Sequence, residues 1–409
     1  MNDRDFDPDI FGTFFSDSVR KNVAVNYREY REKKPILASY PIKIYVEPTQ
    51  RCNFYCVTCS FDRRKEKEDM PMVMFRRIEH ELFPHVAEVN FFLTGEPTLA
   101  VNFCEMIKAS KRYTFLPRIF TNGTLMSGNV AYTLVECGCF VNISFDAASP
   151  ELFEYIRKGA KFDDVRDTIK KLQLTQKGIA NKRFHLRLAT TLGLHNIDEA
   201  PKIIQFAHEH DIADIMFGCQ DSGGCDPSGM LMVDPKRSVG RIHEAIRLAD
   251  KLKIRLSVPK KIGSVVIEKN NNWNDFSLPV DKYAPFYLES FNPYAGDCGY
   301  PWMHTAIRSN GLVVSCCQRE HVMGDYRKDD FLTIWNNERY VRLRSLRNYG
   351  ICLGKACNLS VYSILNGGGE RDPGVNMRKN IFDRLWALCF NATRWVLMKK
   401  ARFVYRMPR

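Results

Sequence analysis

The sequence predicts an α/β fold in which parallel strands are joined by crossover helices. Six short apolar runs alternate with helical stretches between residues 41 and 260, and several of the runs end in short polar motifs. Such alternation implies parallel strands, and these folds bind ligands at the carboxyl ends of their strands. With 409 residues, 45% of them hydrophobic, the chain has room for two or three domains with a buried core.

The strand-like runs are rich in β-branched and aromatic residues and are bounded by turn residues. In chain order they are Ile42–Val46, Val89–Leu93, Arg118–Phe120, Val141–Phe145, Phe184–Thr190 and Ile212–Phe217. Helices are predicted between them, for example at Asp163–Lys177 and Asp198–His210. A further helix, Pro235–Leu252, precedes a strand at Ile254–Val258. Residues 1–40 form an N-terminal extension that is predicted to be partly helical and packed on this core.

Three cysteines follow the first predicted strand, with Cys52, Cys56 and Cys59 spaced as Cys-x3-Cys-x2-Cys. Three thiolates this close can hold three corners of an iron–sulfur cube, whereas protein-held cubanes usually take four cysteines. The spacing therefore predicts a cluster whose fourth iron is open to a non-protein ligand. A structural zinc site is the alternative, although zinc ligands usually come as two Cys-x2-Cys pairs. A disulfide framework is not expected, because the chain is large and its N-terminus lacks the layout of an export signal.

The triplet resembles the signature of radical S-adenosylmethionine enzymes, in which S-adenosylmethionine chelates the open iron. Further motifs follow in the family's order, at the ends of the second, third and fourth predicted strands and in the next helix. They are Thr94-Gly95-Glu96-Pro97, Thr121-Asn122-Gly123, Ile143-Ser144-Phe145-Asp146 and Tyr155-Ile156-Arg157-Lys158-Gly159. Two positions depart from the family: Thr94 replaces the first glycine of the Gly-Gly-Glu-Pro motif, and Thr58 replaces a frequent aromatic residue.

The resemblance implies a partial (β/α)6 TIM-like barrel and a [4Fe-4S] cluster on Cys52, Cys56 and Cys59. It also implies a set of contacts to S-adenosylmethionine from the strand ends. These come from Gly95, Glu96, Asn122, Ser144 and Asp146.

A second cysteine group begins at Cys298, which opens a Cys-Gly-Tyr-Pro-Trp run and precedes a hairpin predicted around Ser309-Asn310-Gly311. The group resembles the auxiliary-cluster domain called SPASM, or its shorter form, twitch. The resemblance implies one auxiliary [4Fe-4S] cluster, with Cys298, Cys316 or Cys317, Cys352 and Cys357 as its ligands. Cys352 and Cys357 are farther apart than the family's closing Cys-x2-Cys, and a zinc ribbon is the alternative.

Cys225 lies in a polar, glycine-rich loop after the sixth predicted strand, where it is expected to face the barrel mouth. A thiol at this place could return a hydrogen atom to a substrate radical, as radical epimerases do. The alternative is an ordinary loop cysteine.

The formal net charge of +13 suggests an anionic partner. No interleaved basic and aromatic platform of the single-strand-binding kind occurs, so nucleic acid is not expected as a partner.

From Arg378 to Arg409 the tail has nine Lys or Arg and one acid. Its amphipathic pattern predicts contact with an anionic membrane surface, or docking on the protein's own barrel. No apolar run is long enough for a membrane span, so a cytoplasmic protein with peripheral membrane contact is expected.

Four regions are predicted: the extension 1–40, the core barrel 41–260, the auxiliary-cluster domain 285–362 and the basic tail 370–409. By resemblance, the cluster takes an electron from a donor such as flavodoxin or ferredoxin and generates a 5′-deoxyadenosyl radical. This radical abstracts a hydrogen atom from the substrate, for oxidation (dehydrogenation) or epimerisation of a sugar, cyclitol or headgroup. The alternatives are a maturase that modifies a peptide or protein, and a non-catalytic zinc-binding or nucleic-acid-binding protein.

Overall fold

A computed structural model describes residues 14–59, 68–220, 227–259, 261–262, 265–267, 299–316 and 319–347. Its strands are β1 Lys43–Val46, β2 Glu88–Asn90, β3 Leu116–Thr121, β4 Phe140–Ser144, β5 His185–Leu192, β6 Asp214–Cys219, β7 Arg255–Ser257, β8 Lys261–Ile262, β9 Val265–Val266, β10 His304–Ile307, β11 Leu312–Cys316 and β12 Arg319–Asp325. Its α-helices are α1 Asp17–Arg31, α2 Met72–Leu82, α3 Phe103–Ala109, α4 Gly128–Glu136, α5 Pro150–Ile156, α6 Phe162–Ile179, α7 Ala200–Glu209, α8 Pro235–Leu252, α9 Tyr300–Met303, α10 Phe331–Trp335 and α11 Glu338–Arg347.

Ten of these strands form one sheet, in the order β12-β11-β10-β1-β2-β3-β4-β5-β6-β7. Strands β1 to β7 are parallel and adjacent in chain order, with helices in the connections. The prediction of a parallel α/β core is therefore confirmed. In the described sheet the outer strands β12 and β7 do not pair with each other, so the barrel is partial.

The two faces of the parallel strands differ sharply in polarity. One face packs on the helices through apolar side chains; Phe145, for example, contacts Phe153, Phe162 and Phe206 from α5, α6 and α7. The opposite, concave face lines the lumen of the barrel and carries the alternate residues of each strand. Alternate residues of a strand point to opposite faces, so the lumen face can differ in polarity from the helix-packed face. Its amino-terminal half carries polar and charged side chains.

The predicted hairpin of the second cysteine group joins the same sheet. Strand β10 runs parallel to β1, with Lys43 opposite His304 and Val46 opposite Ile307. Strands β11 and β12 then follow as antiparallel neighbours. The start of the auxiliary region is thus a direct extension of the barrel sheet.

Helix α1 covers part of the amino-terminal end of the strands. The N–H of Ser16 donates to Thr114 Oγ1 at 2.9 Å, just before β3. The Asn22 amide donates to the carbonyl of His85 at 3.0 Å, just before β2. The Arg183 guanidinium lies over the Phe14 ring before β5, at 4.5 Å. The described part of the N-terminal extension, from Phe14 onward, is therefore packed on the barrel end opposite the strand carboxyl ends.

The chain divides into two units, Met1–Val361 and Tyr362–Arg409, and all described residues belong to the first. In the described part, no helix is long and apolar enough to cross a membrane. Cys316 is described as the last backbone position of β11. The tail 370–409 and five predicted site residues lie outside the described residues; these are Cys225, Cys298, Cys317, Cys352 and Cys357.

Candidate active site at the carboxyl ends of the strands

The loop after β1 carries Cys52, Cys56 and Cys59, and its backbone is docked on the end of α5. Cys59 is exposed and the other two cysteines are partly exposed. The N–H of Tyr55 donates to the carbonyl of Lys158 at 2.8 Å, and the N–H of Val57 donates to the carbonyl of Ile156 at 2.9 Å. The loop is thereby fixed in place while its thiols stay near solvent.

The loop after β2 approaches the cysteine loop so closely that only glycine fits at residue 95. The N–H of Glu96 donates to the carbonyl of Arg51 at 2.8 Å. A Cβ on Gly95 would lie 2.6 Å from that same carbonyl oxygen and would also collide with the carbonyl oxygen of Thr49. Both obstacles are backbone atoms, which cannot swing away as a side chain can. The predicted site residue Gly95 is thus a point of close backbone contact.

The carboxylate of Glu96 is buried and fastens the end of β3 to the loop after β2. It accepts hydrogen bonds from the hydroxyls of Thr98 and Thr121, at 2.6 and 2.7 Å. It also accepts from the N–H of Asn122 at 2.6 Å. Burial raises the pKa of Glu96, and these hydrogen bonds oppose the change. The structure therefore gives Glu96 a positioning role; its contact with the amino group of S-adenosylmethionine stays a prediction.

Asn122, at the end of β3, is linked to the cysteine loop through Asn53. The Asn122 amide donates to Asn53 Oδ1 at 2.7 Å. The Asn53 amide in turn donates to the hydroxyl of Thr124 at 3.1 Å. The cysteine loop is therefore held on three sides, by α5, by the loop after β2 and by the end of β3.

Asp146, directly after β4, is buried and forms an ion pair with Arg157 of the segment that docks the cysteine loop. Its Oδ2 lies 2.8 Å from Arg157 Nη2, and its Oδ1 accepts from the N–H of Thr191 at 2.8 Å. The Nε of Arg157 is buried and has no hydrogen-bond partner among the described residues. Ser144 ends β4 and is partly exposed. The structure thus brings Asp146 and Ser144 to the strand ends near the cysteine loop.

The electrostatics of the thiols follow from this setting. Burial raises the pKa of the Cys56 thiol to about 11; Arg157 acts to lower it, and Cys59 and Asp146 act to raise it. In the described part, no three His, Cys, Asp or Glu side chains converge on a single metal ion. A cubane does not require such convergence, because each of its irons binds a separate thiolate.

Glu47 joins the end of β1 to both neighbouring elements. Its carboxylate accepts from the hydroxyl of Thr94 at 2.5 Å and from the N–H of Ser309, after β10, at 3.1 Å. The side chain of Thr94, which departs from the family motif, therefore has a structural partner. Glu47 also ties the hairpin of the auxiliary region to the loops of the site.

Several residues of this site were not among the predicted ones. Arg157 and Asn53 lie inside the predicted motifs, so the motifs themselves were the available signal. Glu47 had no comparable signal, because its partners lie 47 and 262 positions away in the chain. Residues Gly95, Glu96, Asn122, Ser144 and Asp146 were predicted, and the structure places all of them at the carboxyl ends of the strands.

Two family models match the chain. Residues 46–207 match the radical SAM superfamily, and residues 298–358 match SPASM, an iron–sulfur cluster-binding domain. The first match contains the cysteine triplet and all the strand-end motifs. The second contains Cys298, Cys316, Cys317, Cys352 and Cys357.

Among curated relatives, a tungsten-containing aldehyde ferredoxin oxidoreductase cofactor-modifying protein of Pyrococcus furiosus is 35% identical over 98 residues. These are 23% of this chain and 28% of that protein. A GTP 3′,8-cyclase of Limosilactobacillus fermentum is 26% identical over 181 residues, which are 41% of this chain and 51% of the cyclase. The chain thus spans about a quarter of the first relative and half of the second.

A solved structure of Streptococcus suis SuiB bound to the precursor peptide SuiA has a TM-score of 0.58 and 15% identity, covering 80% of this chain and 71% of SuiB. A structure of anSMEcpe with bound AdoMet and a peptide has a TM-score of 0.56 and 14% identity, covering 89% of this chain and 99% of that one. At these identities the likeness establishes the fold. Iron–sulfur clusters and S-adenosylmethionine are the cofactors of the two matched domains. The chain belongs to the radical SAM superfamily and carries a C-terminal SPASM iron–sulfur cluster-binding domain.

Proposed function

We propose that this radical SAM enzyme abstracts a hydrogen atom from a polar substrate bound in the barrel lumen, for oxidation or epimerisation. The observation that carries the proposal is the three-sided docking of the cysteine loop. Its contacts to Ile156, Lys158, Glu96 and Asn122 hold three thiols at the strand carboxyl ends. In α/β folds this is the edge of the sheet where ligands bind.

The described residues fit a cluster held by Cys52, Cys56 and Cys59. The donor set is three thiols on one short loop, and Gly95 lets a second loop approach that loop without a side chain between them. The pKa of Cys56, raised by burial to about 11, favours a protonated thiol in the free chain. Iron binding therefore has to displace a proton at this site.

When bound, the cluster supplies the electron that cleaves S-adenosylmethionine and yields the 5′-deoxyadenosyl radical. The chain's own residues bind the ligand and orient it. Asp146, held by Arg157 and the N–H of Thr191, presents a fixed carboxylate toward the strand ends. Glu96 keeps the ends of β2 and β3 in register with the cysteine loop. We propose that Ser144 and Asn122 contribute polar contacts to the same ligand.

A sugar, a cyclitol or a polar headgroup is the proposed substrate. Partly exposed polar and charged side chains on the lumen face, such as Arg118 and Arg187, support this proposal. Their N–H groups can donate hydrogen bonds to hydroxyl or charged groups of such a ligand.

A peptide is the second candidate substrate. Two neighbours of the same fold, SuiB and anSMEcpe, are bound to peptides in their solved structures. Uptake of deuterium into 5′-deoxyadenosine from labelled sugars, cyclitols and peptides distinguishes the two candidates. Transfer only from peptides would overturn the small-molecule proposal.

The cluster assignment is tested by replacing Cys56 with alanine. We expect the variant to lose the open-iron cluster and to form no 5′-deoxyadenosine above background, because two thiols cannot replace the three-thiol set. Iron content and reductive cleavage of S-adenosylmethionine are the measurements. Cys104→Ala is the matched control: this partly exposed cysteine lies on α3 and should retain both properties. Full cleavage by the Cys56 variant would contradict the assignment.

The outcome of the reaction is tested at Cys225. If its thiol returns a hydrogen atom, Cys225→Ser should stop incorporation of solvent deuterium into the product while 5′-deoxyadenosine still forms. Unchanged deuterium incorporation in the serine variant would show that Cys225 does not return the hydrogen atom.

A flavodoxin or ferredoxin as electron donor, and membrane contact through the tail, stay predictions.

A further inference from the structure

Two arginines converge on one aromatic ring in the amino-terminal half of the lumen. The guanidinium carbon of Arg118, on β3, lies 4.2 Å from the ring centroid of Phe140, on β4. That of Arg187, on β5, lies 4.5 Å from the same centroid. Phe140 is opposite Arg118 in the β3–β4 register, and Asn142 is opposite Arg187 in the β4–β5 register. The three strands therefore place both cationic groups in one space.

The carboxylate that pairs with Arg187 is shared among several groups. Asp214 Oδ2 lies 2.7 Å from Arg187 Nη2, 2.7 Å from His185 Nε2 and 2.5 Å from Arg255 Nη2. Burial lowers the pKa of His185, and the hydrogen bond to Asp214 and its charge oppose this change. Asp214 is therefore shared among Arg187, Arg255 and His185.

The carboxylate that pairs with Arg118 is shared as well. Glu88 Oε1 lies 3.2 Å from Arg118 Nε and 2.7 Å from Lys43 Nζ. Burial acts to raise the pKa of Glu88, but Arg118 and Lys43 hold it at about 2, so this acid is ionised.

Arg118 and Arg187 keep donors for a further anion. A guanidinium has five N–H donors. Arg187 donates to Asp214 through Nη2, and no other hydrogen bond of its side chain is present among the described residues. Burial lowers the pKa of Arg187 despite Asp214, and Arg118 and Arg255 lower it further. The Arg118 and Arg187 side chains are nonetheless 18% and 15% exposed, so a small ligand can reach them.

We propose that Arg118 and Arg187 bind an oxyanion group, a carboxylate or a phosphate, of the substrate in the barrel lumen. Planar guanidinium groups match both oxyanions through paired N–H donors. The assignment of the anion to the substrate rests on the proposed function. The anion site itself does not depend on that function.

The position of the site also restricts the length of the substrate. Arg187 precedes Thr191, whose N–H binds Asp146 at the reacting end of the barrel, by four residues of β5. Four residues of a strand span about 13 Å. A substrate that fills both positions is therefore elongated, with its oxyanion on the order of 10 Å from the carbon that loses hydrogen.

The test is a titration of the full-length protein, with its clusters assembled, against inorganic phosphate, and separately against acetate. Unfolding temperature is followed by circular dichroism, with chloride replaced at constant ionic strength so that screening is unchanged. A ligand that binds the folded state raises the unfolding temperature saturably. We expect this rise in the wild type and its loss in Arg118→Gln/Arg187→Gln. A response to phosphate alone assigns a phosphate group, and a response to acetate as well assigns a carboxylate.

The matched control is Arg166→Gln, which removes an exposed arginine on α6 and should respond like the wild type. Arg187→Lys keeps a charge without the planar donors and should weaken the response relative to the wild type. No rise in the wild type beyond that in chloride would overturn the anion site, even if the glutamine variants fail to fold. An equal rise in the double variant would also overturn it. Cleavage of S-adenosylmethionine by the wild type is assayed separately, so failure of the proposed function is recognised independently.

Discussion

Replacing Gly95 with alanine is expected to lower the rate of 5′-deoxyadenosine formation by roughly 100-fold or more. The new Cβ would lie 2.6 Å from the carbonyl oxygen of Arg51 and would collide with that of Thr49. Because both are backbone atoms, the cysteine loop itself must move to relieve the collision. A displacement of about 1 Å at a reacting centre can cost a factor of about 100 in rate.

The same substitution should also lower the free energy of unfolding by about 1–3 kcal/mol, as is typical of overpacking. Gly240→Ala is the control, because this glycine lies inside α8 with nothing within 4 Å of its added Cβ. It should raise stability by about 0.5–1 kcal/mol, as helix propensity predicts. Denaturant unfolding measures the free energy of unfolding of both variants, and the cleavage assay measures their rates of 5′-deoxyadenosine formation. Wild-type activity in Gly95→Ala would show that the two loops do not need this contact.

Replacing Asp214 with asparagine is expected to give the largest loss of stability, about 3–5 kcal/mol. The Asp214 side chain is 1% exposed and pairs with Arg187, Arg255 and His185. Removing one partner of a buried ion pair leaves uncompensated charge in the interior. Asp198→Asn is the control, because this acid is 45% exposed and pairs with Arg237 and Arg241 at the surface. Its loss should cost at most about 1 kcal/mol.

The contribution of Asp214 should also depend on pH. Burial acts to raise its pKa, but the positive charges of Arg187 and Arg255 and the hydrogen bond from His185 hold the pKa far below its usual range. A carboxyl group with a depressed pKa stabilises the fold above its unfolded pKa of about 4. That contribution is lost as the pH falls below this value. The difference in unfolding free energy between wild type and Asp214→Asn should therefore narrow below pH 4; a constant difference would contradict the assignment.

The strands and helices of the core were predictable because their residues follow regular periods. Helix α8 occupies the predicted range Pro235–Leu252, and every predicted core strand overlaps an observed one. Strand β2 is shorter than predicted and ends at Asn90. Residues beyond it already lead into the loop, where the N–H of Thr94 donates to the Glu47 carboxylate rather than to a neighbouring strand.

The site was predictable in part. Cysteine spacing and strand-end motifs pointed to Cys52, Gly95, Glu96 and Asp146, because their signals are local. Glu47 was missed because its role comes from contacts with Thr94 and Ser309, which are remote in the chain. A local pattern holds no information about such contacts.

By itself, the sequence determined the parallel α/β core and the family, and it predicted the cysteine loop as the cluster site, since each depends on short-range periodicity or spacing. Only the tertiary structure decided two further features. Strand β10 lies beside β1, more than 250 residues earlier in the chain. The charges of Arg118, Arg187 and Asp214 alternate with apolar residues, a pattern that along one strand is typical of a solvent-facing side. In the partial barrel that side faces inward, and the physical consequence is that Asp214 is buried and Arg118 and Arg187 are mostly so.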